Sequence, residues 1–346
     1  MTIRMIRYLK EMDWFPHILN RLFSKSKRVL NQVGIMPLIS AKKSDSYRTF
    51  SEKEKEVLPF DAKCLAAFVA EMNRYATMLG MSNTNFVNPS GMDENNHYSC
   101  AKDMARMTMC CTSYRKLMDY WGQTTYSVPV GGPNARTISG SSSYTGKAMS
   151  TVEDYYHIIG GKSGTWVVSS CNHIENLCLV CKSKVDNEWL VGCILYNTYN
   201  STAGVSSNRG VPFKEMLDWL EEHRQTPSIP AQPVQAIYCS AWVMPSLADT
   251  AYQDIDYEMV GKSSTTRAKP CSTTKLMTAM VALDNIGTDE IITIKSSDIR
   301  SGSGDTFYAD DTLLLGDAIL AMLLASSNTL ATAIARTAGE RILNTK

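Results

Sequence analysis

The chain has 346 residues and is 44% hydrophobic, enough for a sizeable core in one large domain or two ordinary ones. Its 35 lysines and arginines nearly balance 34 aspartates and glutamates, so no global field points to nucleic acid or to an acidic partner. Ten cysteines, including the adjacent Cys110 and Cys111, show no framework spacing and read as mostly reduced thiols, since a chain of this size needs no staples.

Residues 1–58 carry 12 Lys or Arg against 6 Asp or Glu and read as a basic, partly helical extension, with SKSKR and SEKEKE as solvated charge clusters. Met5, Ile6, Leu9, Phe15, Ile18 and Leu22 make an amphipathic face that suits docking on the main body or contact with a membrane surface through residues 1–30. Charges interrupt the N-terminus before any apolar stretch of signal-peptide length, and no run of about 18 apolar residues occurs, so neither a leader nor a membrane span is expected.

From about residue 60 the texture changes. AAFVAEMNRYATMLG has helical periodicity, SNTNFVNPSGMDENNHYS is a turn-rich loop, and AKDMARMTMCC is helical again. YYHIIGGKSGTW, CLVCKSK and EWLVGCILY read as strands, and PFKEMLDWLEEH as a closing helix. RQTPSIPAQPVQ, with three prolines in twelve residues, reads as an extended linker. Beyond it AIYCSAWVM and DIDYEMV look like a strand pair, followed by a helix at Ser272 and two more around LLLGDAILAMLLASSNTLATAIARTAG. The expected parts are thus 1–58, 59–222, a linker at 223–235, and 236–346.

Three short constellations carry chemistry. Ser272 stands three residues before Lys275; Ser24, Ser40 and Ser113 share that spacing, but only Ser272 follows a proline-containing loop and opens an apolar helix. A serine hydroxyl needs a base to take its proton, and a lysine desolvated near other cations is neutral enough to do so. The plainer alternative is a helix-capping serine with a solvated lysine. Ser326-Ser327-Asn328 lies between two helical runs, where hydroxyl and amide either face a cleft or cap a helix; Ser170 and Ser206 also begin Ser-x-Asn triplets. Gly160-Gly161-Lys162-Ser163-Gly164-Thr165 lets another chain or a ligand approach the strand backbone, with lysine and serine able to hold a carboxylate, or else is a bulged edge strand with an exposed lysine.

Together these three motifs resemble the signature of penicillin-recognising serine enzymes. KPCSTTKLMTAMVAL, LLASSNTLATAIA, IIGGKSGTW and LGMSNTNFVNPSGMDENNHYSCAKDMARM are similar to segments of the D-alanyl-D-alanine carboxypeptidases of the S11 peptidase family. The likeness covers roughly residues 60 to 222 and 236 to 346. In that family the serine motif comes first and the Lys-Thr/Ser-Gly motif last, so this chain reads as a circular permutant, its old ends joined through the proline-rich linker. A dozen residues span up to ~40 Å, enough to join neighbouring strands, and breaks at surface positions are generally tolerated. Fusion of two truncated neighbouring genes is the other explanation.

The resemblance implies an α+β chain with the serine β-lactamase/transpeptidase-like fold: a five-stranded antiparallel sheet flanked by helices, plus an all-helical subdomain. It implies an acyl-enzyme on Ser272, with Lys275 as general base, Ser326 as proton relay and Asn328 on the substrate amide. Lys162 and Ser163 would recognise the terminal carboxylate, Gly164 and Thr165 would line the substrate site beside them, and the backbone N–H groups of Ser272 and Thr165 would form the oxyanion hole. The implied partners are a peptidoglycan stem peptide and β-lactams, in the cell envelope, with no metal or cofactor. Cys271, Ser327 and Ser163 depart from the family's alanine, glycine and threonine, which implies altered rates. A class A β-lactamase shares the motifs, but its deacylating glutamate loop has no counterpart here; a catalytically silent penicillin-binding relic is the other alternative. Cys171, His173, Cys178 and Cys181 imitate zinc spacing but fit core-facing strand positions. His97 and His157 read as packing residues without acid-base partners.

Overall fold

A computed structural model describes residues 59–142, 152–168, 172–200, 209–226, 238–243 and 259–345. Contacts divide the chain into two compact units. One, Met1–Leu58 with Pro245–Asp256, lies outside the described residues, as do the amphipathic face expected near the N-terminus and the proline-rich part of the linker. The other unit, Pro59–Met244 with Tyr257–Lys346, carries every motif discussed above apart from the Ser24 and Ser40 spacings.

In chain order this unit begins with α1 (Phe60–Met78), α2 (Ala101–Cys111) and the short α3 (Arg115–Trp121). A hairpin follows, β1 (Thr125–Val130) with β2 (Arg136–Ser141), and then three long strands, β3 (Tyr156–Val167), β4 (Asn172–Ser183) and β5 (Trp189–Asn200). Next are α4 (Gly210–Gln225), β6 (Tyr238–Val243) and β7 (Val260–Lys262). A 3-10 turn at Cys271–Thr274 leads into α5 (Lys275–Asn285), then β8 (Ile291–Thr293), β9 (Thr312–Leu314), α6 (Leu315–Leu324) and α7 (Asn328–Asn344). The mixture of helices with an antiparallel sheet is an α+β fold.

The sheet runs β3-β4-β5-β6-β7, each neighbour antiparallel, with β3 at one edge. Successive side chains point to opposite faces of a strand, and β4 and β5 use both. Leu177, Leu179 and Cys181 of β4, with Leu190 and Ile194 of β5, pack on Phe213, Met216, Leu217 and Leu220 of α4. The alternate residues Cys178, Val180, Val191, Cys193 and Leu195 join the larger core with α1, α2, α5, α6 and α7. Two-sided burial explains why these strands read as continuous apolar runs. Nine described cysteines are free thiols, eight of them buried.

The segments before and after the linker build one sheet and one core. Leu190–Leu195 of β5 pairs with Tyr238–Val243 of β6, and Asp284 at the end of α5 accepts hydrogen bonds from Tyr75 of α1 and Tyr114. β3, α5 and the loop ahead of α7 therefore meet although they are far apart in the chain.

Candidate active site

The motif strand β3 lies against the turn that carries Ser272. Gly164 makes this approach possible: a Cβ there would sit 3.0 Å from Cys271 Cβ and 3.1 Å from both Pro270 O and Ser272 N. From the other side the NPSG loop presses on the same turn. A Cβ on Gly91, whose φ is +82°, would lie only 1.8 Å from Cys271 O, so glycine is required by conformation and by space. The loop holds its shape because Asn88 Oδ1 accepts from the Gly91 N–H and the Ser90 hydroxyl. It is fastened to α5 by Thr278, which donates to Pro89 O.

Ser272 sits within the 3-10 turn, its side chain caps no helix, and it is partly exposed. Its partner is Lys275. The Lys275 amine is fully buried, with Nζ 2.8 Å from Ser272 Oγ, 2.7 Å from Ser90 O and 2.8 Å from Asn328 Oδ1. The Asn328 amide is oriented by its other end, which donates to Ser301 O, so Oδ1 faces the lysine. Burial, with the Lys162 charge second, holds the Lys275 amine well below the ordinary lysine range. In its neutral form two N–H bonds go to the two carbonyl oxygens, and the lone pair is left for the Ser272 hydroxyl. Cys271 offers no competing nucleophile, because burial pushes its thiol up to about 12.

Lys162 is also fully buried, and its Nζ donates to Ser163 O at 2.9 Å. Burial pushes it down to about 7, with the nearby Arg209 guanidinium adding to the effect. It thus differs from the exposed lysine of the plainer sequence alternative. Ser163 and Gly164 are buried, and Thr165 is exposed. Ser326 is buried at φ +66°, and its hydroxyl bonds to none of Ser272, Lys275 or Lys162. The helix cap at this junction is Ser327, whose Oγ accepts from the Leu330 N–H. Cys271 and Ser326 are both non-glycine residues at positive φ, and each such position typically costs about 1–3 kcal/mol.

All eight sequence-predicted residues therefore lie on three elements that meet around the Ser272 turn. Of the other Ser-x-x-Lys serines named above, Ser113 donates to Cys110 O at a helix end, and Ser24 and Ser40 lie outside the described residues, as do Ser170 and Ser206 of the Ser-x-Asn triplets. Cys171 is also outside them, and no group of three or more metal-ligating side chains occurs among the described residues. His157 is exposed on β3.

Three participants escaped the sequence reading. Ser90 contributes only a carbonyl, which no side-chain motif can reveal. Arg209, just ahead of α4, donates to Thr165 Oγ1 at 3.1 Å and pairs with Glu175 at 2.9 Å; its one signal was a lone arginine in SSNRGVPF. His97, read as a packing residue without an acid-base partner, is buried and makes two hydrogen bonds. The Val87 N–H donates to its Nδ1, so Nε2 carries the proton and faces Thr274 Oγ1 at 3.0 Å. Burial pushes this ring down to about 4, so it is a neutral tie between the loop and the Ser272 turn.

Comparison with known proteins finds a likeness over part of the chain. A family model for D-alanyl-D-alanine carboxypeptidases, peptidase S11, matches residues 62–167. Part of the chain is thus similar to proteins of this S11 family. The matched span includes the loop at Ser90 and the strand at Lys162, and it ends before Ser272, Lys275, Ser326 and Asn328. The D-alanyl-D-alanine carboxypeptidase DacF of Bacillus subtilis is 44% identical over 55 residues, 16% of this chain and 14% of that protein. The D-alanyl-D-alanine carboxypeptidase DacA of Haemophilus influenzae is 53% identical over 38 residues, 11% of this chain and 10% of that protein. The chain thus spans a small fraction of the length of these curated relatives. No solved structure matches it.

Proposed function

We propose that this chain is a serine-type D-Ala-D-Ala carboxypeptidase that trims the terminal D-alanine from peptidoglycan stem peptides and is acylated by penicillins. The observation that carries the reading is the Lys275 amine, buried, held below its ordinary range and 2.8 Å from Ser272 Oγ. Ser272 Oγ attacks the carbonyl between the two D-alanines while its proton passes to Lys275. The carbonyl oxygen gathers negative charge against the backbone N–H groups of Ser272 and Thr165. As the C–N bond breaks, the leaving amine takes a proton through Ser326, and water later frees the shortened peptide from Ser272. Asn328 holds the substrate amide. Ser163 and Thr165 hydrogen-bond the terminal carboxylate in the positive field of Lys162 and Arg209. The family's usual setting places this work outside the cytoplasm; among the described residues no helix is long and apolar enough to cross a membrane.

We further propose that the order of motifs records a circular permutation of a transpeptidase-like domain, with 59–222 and 236–346 as its exchanged halves. The pairing of β5 with β6 supports this, since it puts the strands on either side of the linker side by side.

Intact-mass measurement after incubation with a fluorescent penicillin tests the enzyme reading, with Ser272→Ala as control. A single persistent adduct that disappears in the variant is expected. A folded chain without an adduct refutes the reading and leaves the silent-relic alternative, and rapid turnover of the adduct favours a β-lactamase.

A further inference from the structure

The described cysteines are all free thiols, and two of them face each other across the sheet. Cys178 of β4 and Cys193 of β5 are directly opposed in the antiparallel register, both are fully buried, and their Sγ atoms are 3.3 Å apart. A cysteine on a sheet packs well as a small apolar residue, and two neighbours do so: Cys181 stands opposite Leu190, and Cys239 opposite Ile194. The pair at 178 and 193 differs, because each sulfur meets a sulfur. Directly opposed residues have Cβ atoms about 4.5–5.5 Å apart, against about 3.5–4.5 Å across a disulfide. The two sulfurs need to close by roughly 1.2 Å to reach bonding distance.

The surroundings decide when that bond forms. Burial holds the Cys193 thiol well above its ordinary range, so it stays protonated in the folded chain. Neither thiol has exposed surface at which to meet an oxidant. The reactive state is therefore the one in which the β4–β5 hairpin is open, and residues 184–188, which join the two strands, bring the thiols together each time it closes.

We propose that Cys178 and Cys193 form a cross-strand disulfide when the chain folds, or opens transiently, in an oxidising compartment, and stay reduced in a reducing one. In the open hairpin one cysteine thiolate attacks a small disulfide and releases one small thiol. The second cysteine then attacks the mixed disulfide and releases the other. The two cysteine protons leave on those two thiols, and two electrons pass from the pair to the small disulfide. Position gives the bond its consequence. Lys162 of β3 is the residue opposite Cys178 on the other side, so the bridge fastens the strand behind the Lys162 motif to the middle of the sheet. The inference is independent of the carboxypeptidase reading.

The test uses the full chain, purified in reductant and then held in oxidised and reduced glutathione, once without urea and once just below its unfolding transition. Remaining thiols are alkylated, and digestion with trypsin without reduction keeps any linked peptides together. Cys193 is the one cysteine of residues 185–209, and Cys178 shares residues 163–182 with Cys171 and Cys181, so fragment spectra assign the partner. The expected result is a link between Cys178 and Cys193, formed faster with urea than without. Closing a span of 15 residues should raise the melting temperature of the oxidised chain by about 5 °C over the reduced one, and Cys193→Ala should show no such redox-dependent shift. Persistence of both thiols in the urea sample, a link from Cys193 to any other cysteine, or a link that lowers the melting temperature would overturn the proposal.

Discussion

Gly91→Ala probes whether the NPSG loop sets the position of the nucleophile. The φ of +82° makes any Cβ unfavourable, at about 1–2 kcal/mol for the left-handed region. The added carbon would also lie 1.8 Å from Cys271 O, about 1.5 Å short of ordinary contact, and forced overpacking adds about 1–3 kcal/mol. A total loss of about 2–5 kcal/mol follows. Because the colliding atom belongs to the residue before Ser272, relief of the clash moves the Ser272 N–H and Oγ. A misplacement of about 1 Å typically costs about 100-fold in rate. Gly80→Ala is the matched control: its φ is +70°, but its Cβ meets only the tip of the flexible Arg106 side chain, at 2.7 Å. Urea denaturation and the rate of fluorescent-penicillin acylation should therefore separate the two variants. Gly80→Ala is expected to lose about 1–2 kcal/mol and keep its acylation rate. If Gly91→Ala behaves like Gly80→Ala in both assays, the loop does not brace the nucleophile and the reasoning fails.

Lys275→Met fills the same space without an amine, so acylation is expected to fall about 100- to 10,000-fold. Its melting temperature should move little, because loss of a poorly solvated amine offsets the two carbonyl oxygens left without a donor; an unchanged acylation rate argues against Lys275 as base. The Lys162 amine loses its proton near pH 7 in the folded chain, so its field is present below that pH and fades above it. KM for a peptide with a free terminal carboxylate should rise as pH increases through about 7, while a peptide amide shows no such rise; a flat KM from pH 6 to 8.5 counts against the role. The same shift makes this group's contribution to stability increase between about pH 7 and 10.5, where the unfolded chain holds the extra proton. His97 has the parallel sign at lower pH, since the unfolded ring binds a proton near 6.5 and the folded ring only near 4. The stability of the parent should therefore drop by about 2–3 kcal/mol more than that of His97→Gln between pH 7 and 4.5 in chemical denaturation; equal drops would show that His97 is not held neutral.

Local patterns were sufficient for the elements that bury apolar faces. AKDMARMTMCC is α2 residue for residue, and the strands at YYHIIGGKSGTW and EWLVGCILY appear as β3 and β5 with slightly different ends. The hairpin of β1 and β2 was not singled out, although TYSVPV alternates exposed and buried residues as a half-buried strand should. The Ser272 segment was read as opening directly into helix, whereas a 3-10 turn comes first and α5 begins at Lys275. That difference places the serine outside the regular helix, beside the glycine strand.

By itself the sequence determined the chemistry-bearing residue types and the elements that carry them, because helical and strand periodicities are local and the three motifs are short. Tertiary structure alone decided the protonation of those residues and which groups complete the site. Lys275 meets a carbonyl 185 residues away and an amide 53 residues away, and His97 meets a hydroxyl 177 residues away. No spacing rule reaches that far. Burial, which lowers both lysines and the histidine, is a property of the assembled core.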